Sequence, residues 1–430
     1  PPRSTLFPYT TLFRSEQIYP LEGQWLIRSA PVRDITRERF YDQELNLYEN
    51  LTRFLTAGNL AALKDCMPGT TAVLIGGSPD LDRRFDALRR WKDRALLIAV
   101  NRALPALHAA GIEPHFAVVN DNSLAARELM NSLPRFANTI LACHSLSPTG
   151  EPSFGRVLFF ASVLEEIFGE RPWLPLHGSV LTTTFSLARF LGCARCVVIG
   201  GQLASHDPQR LSYARELEEG SASARARWEP HHPYLAAVET PAGQTLYTTP
   251  NFLDAALWFR DEIRTSGLEV VNLAEDSILF GPSIVQDEGY EPPPGPDVNA
   301  MAAAVRMVRQ PVSTARLKEY IAKEMIRWRT VMQAARGLLK ALAAPDGPDR
   351  FAALLQEFDR DNTTYLLERF PAFSTRRFHA LHFAGTDPDQ RREGARYYLT
   401  HAQDMARGFL DVLVVQMERL GELAAGREQV

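Results

Sequence analysis

Residues 71–82 read TAVLIGGSPDLD, a short β-branched-rich apolar run followed by two glycines, a Ser-Pro and two aspartates. A run of this kind, apolar at every position, predicts a strand buried on both faces of a parallel sheet. After the turn, DLDRRFDALRRWKDRA places its apolar residues at helical spacing. Strand, glycine turn and helix together can be a plain tight turn. They can also present backbone N–H groups at a helix N-terminus to an anion. The spacing is neither GxGxxG nor a Walker loop, so phosphate binding does not follow from it alone.

Outward from this turn, residues 71–285 alternate strand and helix. ALLIAVN, HFAVVND, TILAC, RVLFFA, CVVIGG and EVVNLA read as further strands, with helical patterns between several of them. The expectation is an α/β fold, a doubly wound, mainly parallel, Rossmann-like sheet. Residues 16–70 form a helical lead-in. The stretch 286–298 is a Pro-rich linker, its PPPGP forbidding helix. Beyond it, 299–430 carry helical periodicity broken at Pro311 and at PDGPD, which predicts a helical bundle. The first fifteen residues, PPRSTLFPYTTLFRS, lead into no hydrophobic pattern and resemble translated sequencing-adaptor DNA; they are set apart from the fold argument as an artefactual leader.

A chain of 430 residues exceeds one comfortable core, so two or three domains are expected. Its net charge of −4 gives no reason to expect a nucleic-acid or membrane-surface partner, and no apolar stretch approaches a membrane span. Four cysteines in a chain this long do not make a disulfide scaffold, and a cytoplasmic setting is expected. Cys193 and Cys196 form a CxxC with no second pair nearby, so they read as packed thiols with no metal assigned.

In an open α/β sheet the ligand sits beyond the carboxyl ends of the strands. Gly76, Gly77, Ser78 and Pro79 follow the first strand, Asn101 the second, Asn120 and Asp121 the third, and Gly200, Gly201 and Gln202 follow CVVI. Each alone is an ordinary turn residue; together they outline a nucleotide cleft. Gly178 and Ser179 start the helix SVLTTTFSLARF as an N-cap or as an anion contact. The long polar segment 203–234 reads as a lid or as disordered. Its arginines Arg210, Arg215, Arg225 and Arg227 are candidate phosphate clamps, and His206, His231 and His232 are titratable groups near the cleft. No Gly-x-Ser-x-Gly elbow, HExxH or P-loop is present.

The ordered motifs resemble a family. IGGSPDLD is similar to the GxGPSLD loop of the motility-associated factor (Maf) glycosyltransferases and of the related archaeal 6-hydroxymethyl-dihydropterin pyrophosphokinases. IAVNRALPALHAAGIEPHFAVVND, HGSVLTTTFSLARFLGCARCVVIGGQLA, VETPAGQTLYTTPNFLDAALWFRDEI and VVNLAEDSILFG resemble its later signatures, over roughly residues 71–285. The same core is similar to bacterial sialyltransferases. That resemblance implies a nucleotide-sugar pocket lined by Gly76, Asn101, Gly178 and Ser179, with Tyr213 near the phosphate. The implied function is transfer of a nonulosonic sugar from a CMP-sugar donor, without a required metal, to Ser or Thr hydroxyls of a protein such as flagellin. Asp121, His206, His231 and His232 are the candidate bases. The chain departs from the pattern at Ser78, Asp80 and Gln202, where the family carries glycine, serine and aspartate, and at Thr248, near which the sialyltransferases' histidine falls. Two other readings stand beside this one. One is Mg²⁺-dependent pyrophosphoryl transfer from ATP to a hydroxymethylpterin, with Asp121, Asp80 and Asp82 as available acids. The other is a nucleotide-binding scaffold that has lost turnover. The helical C-terminal third favours the Maf type over the shorter pterin enzymes.

Overall fold

A computed structural model describes residues 39–208, 211, 213, 214, 236–305, 307–384 and 387–427. The leader 1–15, the four arginines of the polar segment, and His231 and His232 lie outside the described residues. The chain divides into two compact units. One comprises Thr56–Pro311; the other joins Thr36–Leu55 to Val312–Val430.

The strands of the first unit, in chain order, are β1 (Gly58–Asn59), β2 (Thr71–Ile75), β3 (Leu96–Val100), β4 (Phe116–Val119), β5 (Phe136–His144), β6 (Phe154–Phe160), β7 (Arg195–Ile199), β8 (Ala236–Glu239), β9 (Thr245–Thr248), β10 (Glu269–Asn272) and β11 (Ile284–Gln286). Nine of them form one parallel sheet in the order β1-β6-β5-β4-β3-β2-β7-β10-β11, and β8 and β9 pair as an antiparallel hairpin. All five residues of β2 and of β3 are buried, which is why their sequences are apolar throughout. Val73 sits in register with Leu97 on one side and Val197 on the other.

The connections explain the doubly wound arrangement. From β2 to β5 the chain steps one way along the sheet, through the helices Phe85–Trp91, Leu104–Ala109 and Leu124–Ser132. From β6 it returns through Val180–Phe190 to place β7 on the other flank of β2, then through Pro250–Ser266 to β10. Right-handed crossovers running in opposite directions put their helices on opposite faces. The two later helices pack together, with the Phe185 and Phe259 rings 5.0 Å apart. The order reverses between β2 and β7, and a ligand crevice opens at such a switch point.

The Pro-rich segment 286–298 is tied onto this unit. Glu291 accepts from the Trp91 indole (2.6 Å) and pairs with Arg90 (2.8 Å) and Arg94. The helix after it, Val298–Ala304, also belongs to the first unit, and the division falls at Pro311.

The second unit is helical: Phe40–Asn50, Thr314–Ala341, Gly347–Arg360, Thr363–Leu367, Thr375–His382 and Pro388–Arg427. Its core gathers Trp328, Phe409 and Tyr48; Trp328 and Phe409 lie 4.6 Å apart. The Trp328 indole donates to the Tyr48 hydroxyl (3.0 Å), which donates to Glu324 (2.7 Å), so the polar tips of these buried rings are satisfied. No helix among the described residues is long and apolar enough to cross a membrane.

Candidate active site

The carboxyl ends of β2 and β7 meet at the switch point through backbone. Gly76 N–H donates to the Ile199 carbonyl (2.8 Å) and Ser78 N–H to the Gly200 carbonyl (3.0 Å). A Cβ on Gly76 would lie 2.2 Å from the Gly200 oxygen, and one on Gly200, at φ +61°, would lie 2.5 Å from the Gly76 oxygen. The glycines are therefore dictated first by the crossing of two loops. The N–H groups of Gly76 and Ser78 are already satisfied there, unlike the free donors that the strand-turn-helix pattern suggested. Gly201 is packed just as closely, its virtual Cβ 2.5 Å from Val198. Pro79 opens a 3-10 turn, Pro79–Arg83, in which Leu81 N–H donates to the Ser78 carbonyl (3.0 Å).

Asp80 turns away from the cleft. Its carboxylate is fully buried, accepts from Gly200 N–H (3.4 Å), and lies 3.4 and 3.5 Å from the Arg83 and Arg84 guanidiniums. Burial pushes its carboxyl up from the ordinary range, while Arg84, the Gly200 N–H and Arg83 favour the ionised form. Gln202 completes this clasp: its Oε1 accepts from Asp80 N–H (3.2 Å) and its Nε2 donates to Asp276 (2.6 Å). Gln202 thus binds a carboxylate from another loop, Asp276, which the sequence reading did not single out.

Asn101, at the end of β3, is 1% exposed, and neither its Oδ1 nor its Nδ2 has a hydrogen-bond partner. A buried amide in this state costs free energy until something pairs with it. Beside it, the Arg102 guanidinium lies 5.5 Å from the centre of the Tyr213 ring, and Ala214 N–H donates to the Gly77 carbonyl (2.8 Å). The structure thereby brings the Tyr213–Ala214 segment, Arg102 and Gly77 together.

Asn120, at the end of β4, donates to the Thr183 hydroxyl (2.7 Å) and braces the first turn of the helix Val180–Phe190. Asp121 accepts from Ser123 N–H (3.0 Å), at the start of the next helix. Gly178, at φ +61°, allows the turn into the helix, and Ser179 caps it by accepting from Leu181 N–H (3.3 Å). The Ser179 N–H is used internally, donating to the His177 carbonyl (2.7 Å). Just before this turn His177 packs its ring on Trp258, centroids 6.0 Å apart, with Nε2 2.5 Å from Asp254. Neither His177 nor Asp254 was singled out from sequence; the His-Gly-Ser-Val string was the available signal.

His206 is exposed and stands 3.4 Å from Asp276. Thr248 is buried and donates to the Leu203 carbonyl (2.6 Å), so it supplies no base. Cys193 and Cys196 are buried free thiols, and burial raises Cys193 to about 11. Among the described residues no three His, Cys, Asp or Glu side chains converge in a way that would hold a metal ion.

The chain is similar to the solved structure of a Maf glycosyltransferase from Magnetospirillum magneticum AMB-1, with 17% identity, a TM-score of 0.49, and coverage of 90% of this chain and 63% of that one. The chain thus spans less than two thirds of that protein's length. No curated protein matches it. The sequence model of the 6-hydroxymethylpterin diphosphokinase MptE-like family matches residues 45–207. That stretch contains β1 to β7 and the turn after them, and over it the chain is similar to that family.

Proposed function

We propose that the α/β unit is a cytoplasmic glycosyltransferase that moves a nonulosonic, sialic-acid-like sugar from a CMP-sugar to Ser or Thr hydroxyls of a flagellin-like protein. The observation that carries the reading is Asn101, a buried amide with both polar atoms unpaired, at the carboxyl edge next to the switch point. A nucleotide base or ribose offers the donors and acceptors that such an amide lacks. Gly77, Arg102 and Tyr213 lie alongside, with a cation available for a leaving phosphate.

The alternative is the pyrophosphoryl transfer named by the matching family, which needs carboxylates free to hold Mg²⁺. Here Asp80 is engaged by Gly200 and two arginines, Asp276 by Gln202, and Asp121 by Ser123. These engagements favour a nucleotide that leaves without a metal.

Thermal unfolding with CMP or ATP, each with Mg²⁺ or EDTA, tests the choice. A ligand at about 100 times its dissociation constant adds about 2.7 kcal/mol to the folded state. Stabilisation by CMP in EDTA, lost in Asn101→Leu, supports the glycosyltransferase. Stabilisation only by ATP with Mg²⁺ moves the assignment to the pyrophosphokinase, and none with either leaves the scaffold reading.

A further inference from the structure

We propose that His177 is the base that takes the acceptor's proton, and that Asp254 is the residue that positions it. The inference rests on the glycosyl-transfer reading above and names a residue for its central step.

His177 is held from every side. Its backbone N–H donates to the Thr182 hydroxyl (3.0 Å), and its carbonyl accepts from Ser179 N–H (2.7 Å) and the Thr182 hydroxyl (3.0 Å). The ring lies nearly parallel to Trp258, at 18°. Asp254, one helical turn before Trp258 on Pro250–Ser266, places Oδ2 2.5 Å from Nε2. At that separation a bare Nε2 lone pair would face a carboxylate lone pair, so the contact favours the ring forms that carry a proton on Nε2. In the neutral ring Nδ1 is then the bare nitrogen, and no group among the described residues bonds to it. The His177 side chain is 29% exposed and that of Asp254 12%, so the base is reachable and its partner is sheltered.

The position is right for the chemistry. The helix that His177 precedes returns to β7, so its start lies at the carboxyl edge, where Asn120 of β4 reaches Thr183 in its first turn. On the helix that carries Asp254, Asn251 donates through Nδ2 to the Gly178 carbonyl (3.2 Å), whereas its Oδ1 is buried without a partner. That acceptor suits a substrate hydroxyl. Gly178 lets the two helix starts approach this closely: a Cβ there would sit 2.1 Å from the Asn251 backbone carbonyl oxygen. The rival histidine, His206, is 3.4 Å from its carboxylate and 59% exposed. Asp276 is also shared with Gln202 at 2.6 Å and Arg83 at 3.9 Å, so it orients His206 weakly.

In the step, the acceptor oxygen forms a bond to the anomeric carbon and its proton passes to His177 Nδ1. The bond from that carbon to the phosphate oxygen breaks, and CMP leaves with the electron pair. The imidazolium formed lies against Asp254, which stabilises it.

The test uses the full chain and two readouts. Long-range ¹H–¹⁵N spectra of the ligand-free protein report which ring nitrogen of His177 carries the proton. The expected tautomer has Nε2 protonated and Nδ1 bare, with the preference weakened in Asp254→Asn. Release of CMP from CMP-N-acetylneuraminic acid is expected to fall at least about 100-fold in His177→Gln, and less in Asp254→Asn, while CMP binds both variants as it binds the wild type. A proton on Nδ1, or CMP release in His177→Gln at the wild-type rate, overturns the proposal. If CMP does not bind the wild type, the glycosyl-transfer reading fails instead, and the tautomer still decides whether His177 is poised as a base.

Discussion

Replacing Asn101 by leucine separates a ligand-binding amide from a structural one, because the two roles predict opposite signs. Asn101 is 1% exposed and both polar atoms of its side chain lack partners. Each unsatisfied buried group costs about 1–3 kcal/mol. Leucine has nearly the same branched shape and carries no such cost. The ligand-free Asn101→Leu protein is therefore expected to be unchanged or more stable by about 1–2 kcal/mol, after some loss to the larger methyl groups. For a unit of this size that is a rise in Tm of roughly 2–8 °C. The bound state moves the other way. Two neutral hydrogen bonds to the ligand, each worth about 1–1.5 kcal/mol, would disappear, and CMP affinity is expected to fall roughly 30- to 150-fold. Calorimetric titration with CMP and a thermal melt of the same samples measure both. A variant that loses more than about 2 kcal/mol of stability and binds CMP as before would refute the reasoning and make Asn101 an ordinary structural residue.

Three further outcomes follow from other parts of the molecule. His144, buried at the end of β5, accepts from Leu146 N–H through Nδ1, and burial lowers it to about 4. The unfolded state takes up that proton first, so stability is full above about pH 6.5 and falls by about 3 kcal/mol as the pH drops to about 4. Denaturant midpoints against pH should show this slope in the wild type and lose it in His144→Gln. Gly76→Ala forces a Cβ against the Gly200 carbonyl, backbone on backbone, and is expected to cost about 1–3 kcal/mol in urea unfolding. Gly155→Ala, with nothing within 4 Å of its Cβ, should be close to neutral. In the helical unit, Tyr48→Phe leaves the Trp328 indole and Glu324 without the hydroxyl between them; a loss of about 1–3 kcal/mol is expected by the same measurement.

Much of the sheet was legible because a strand buried on both faces must be apolar throughout, as in TAVLI and LLIAV. β1 and β11, of two and three residues, carry too little pattern to be recognised, and the β8–β9 hairpin alternates too weakly to stand out. The strand-end rule found Asn101 and the glycines, yet it misread what the glycines do, since their crossing depends on β7 lying beside β2. Asp80 read as an acid available to Mg²⁺; its burial beside Gly200 and two arginines depends on segments that meet only in the fold. The pairs Gln202–Asp276 and His177–Asp254 exist only once distant segments fold together, so no local pattern announces them.

The interleaving of the two units sets an order for events on the ribosome. The helix Phe40–Asn50 is made early, but Tyr48 finds Glu324 and Trp328 only after the entire α/β unit has been synthesised. At ordinary translation speeds that delay is on the order of tens of seconds, during which Tyr41, Leu45 and Leu47 have no final place to go. The α/β unit is free to complete itself first, whereas the helical one closes later, from segments that flank it in the chain. Slowing the ribosome would prolong that exposure.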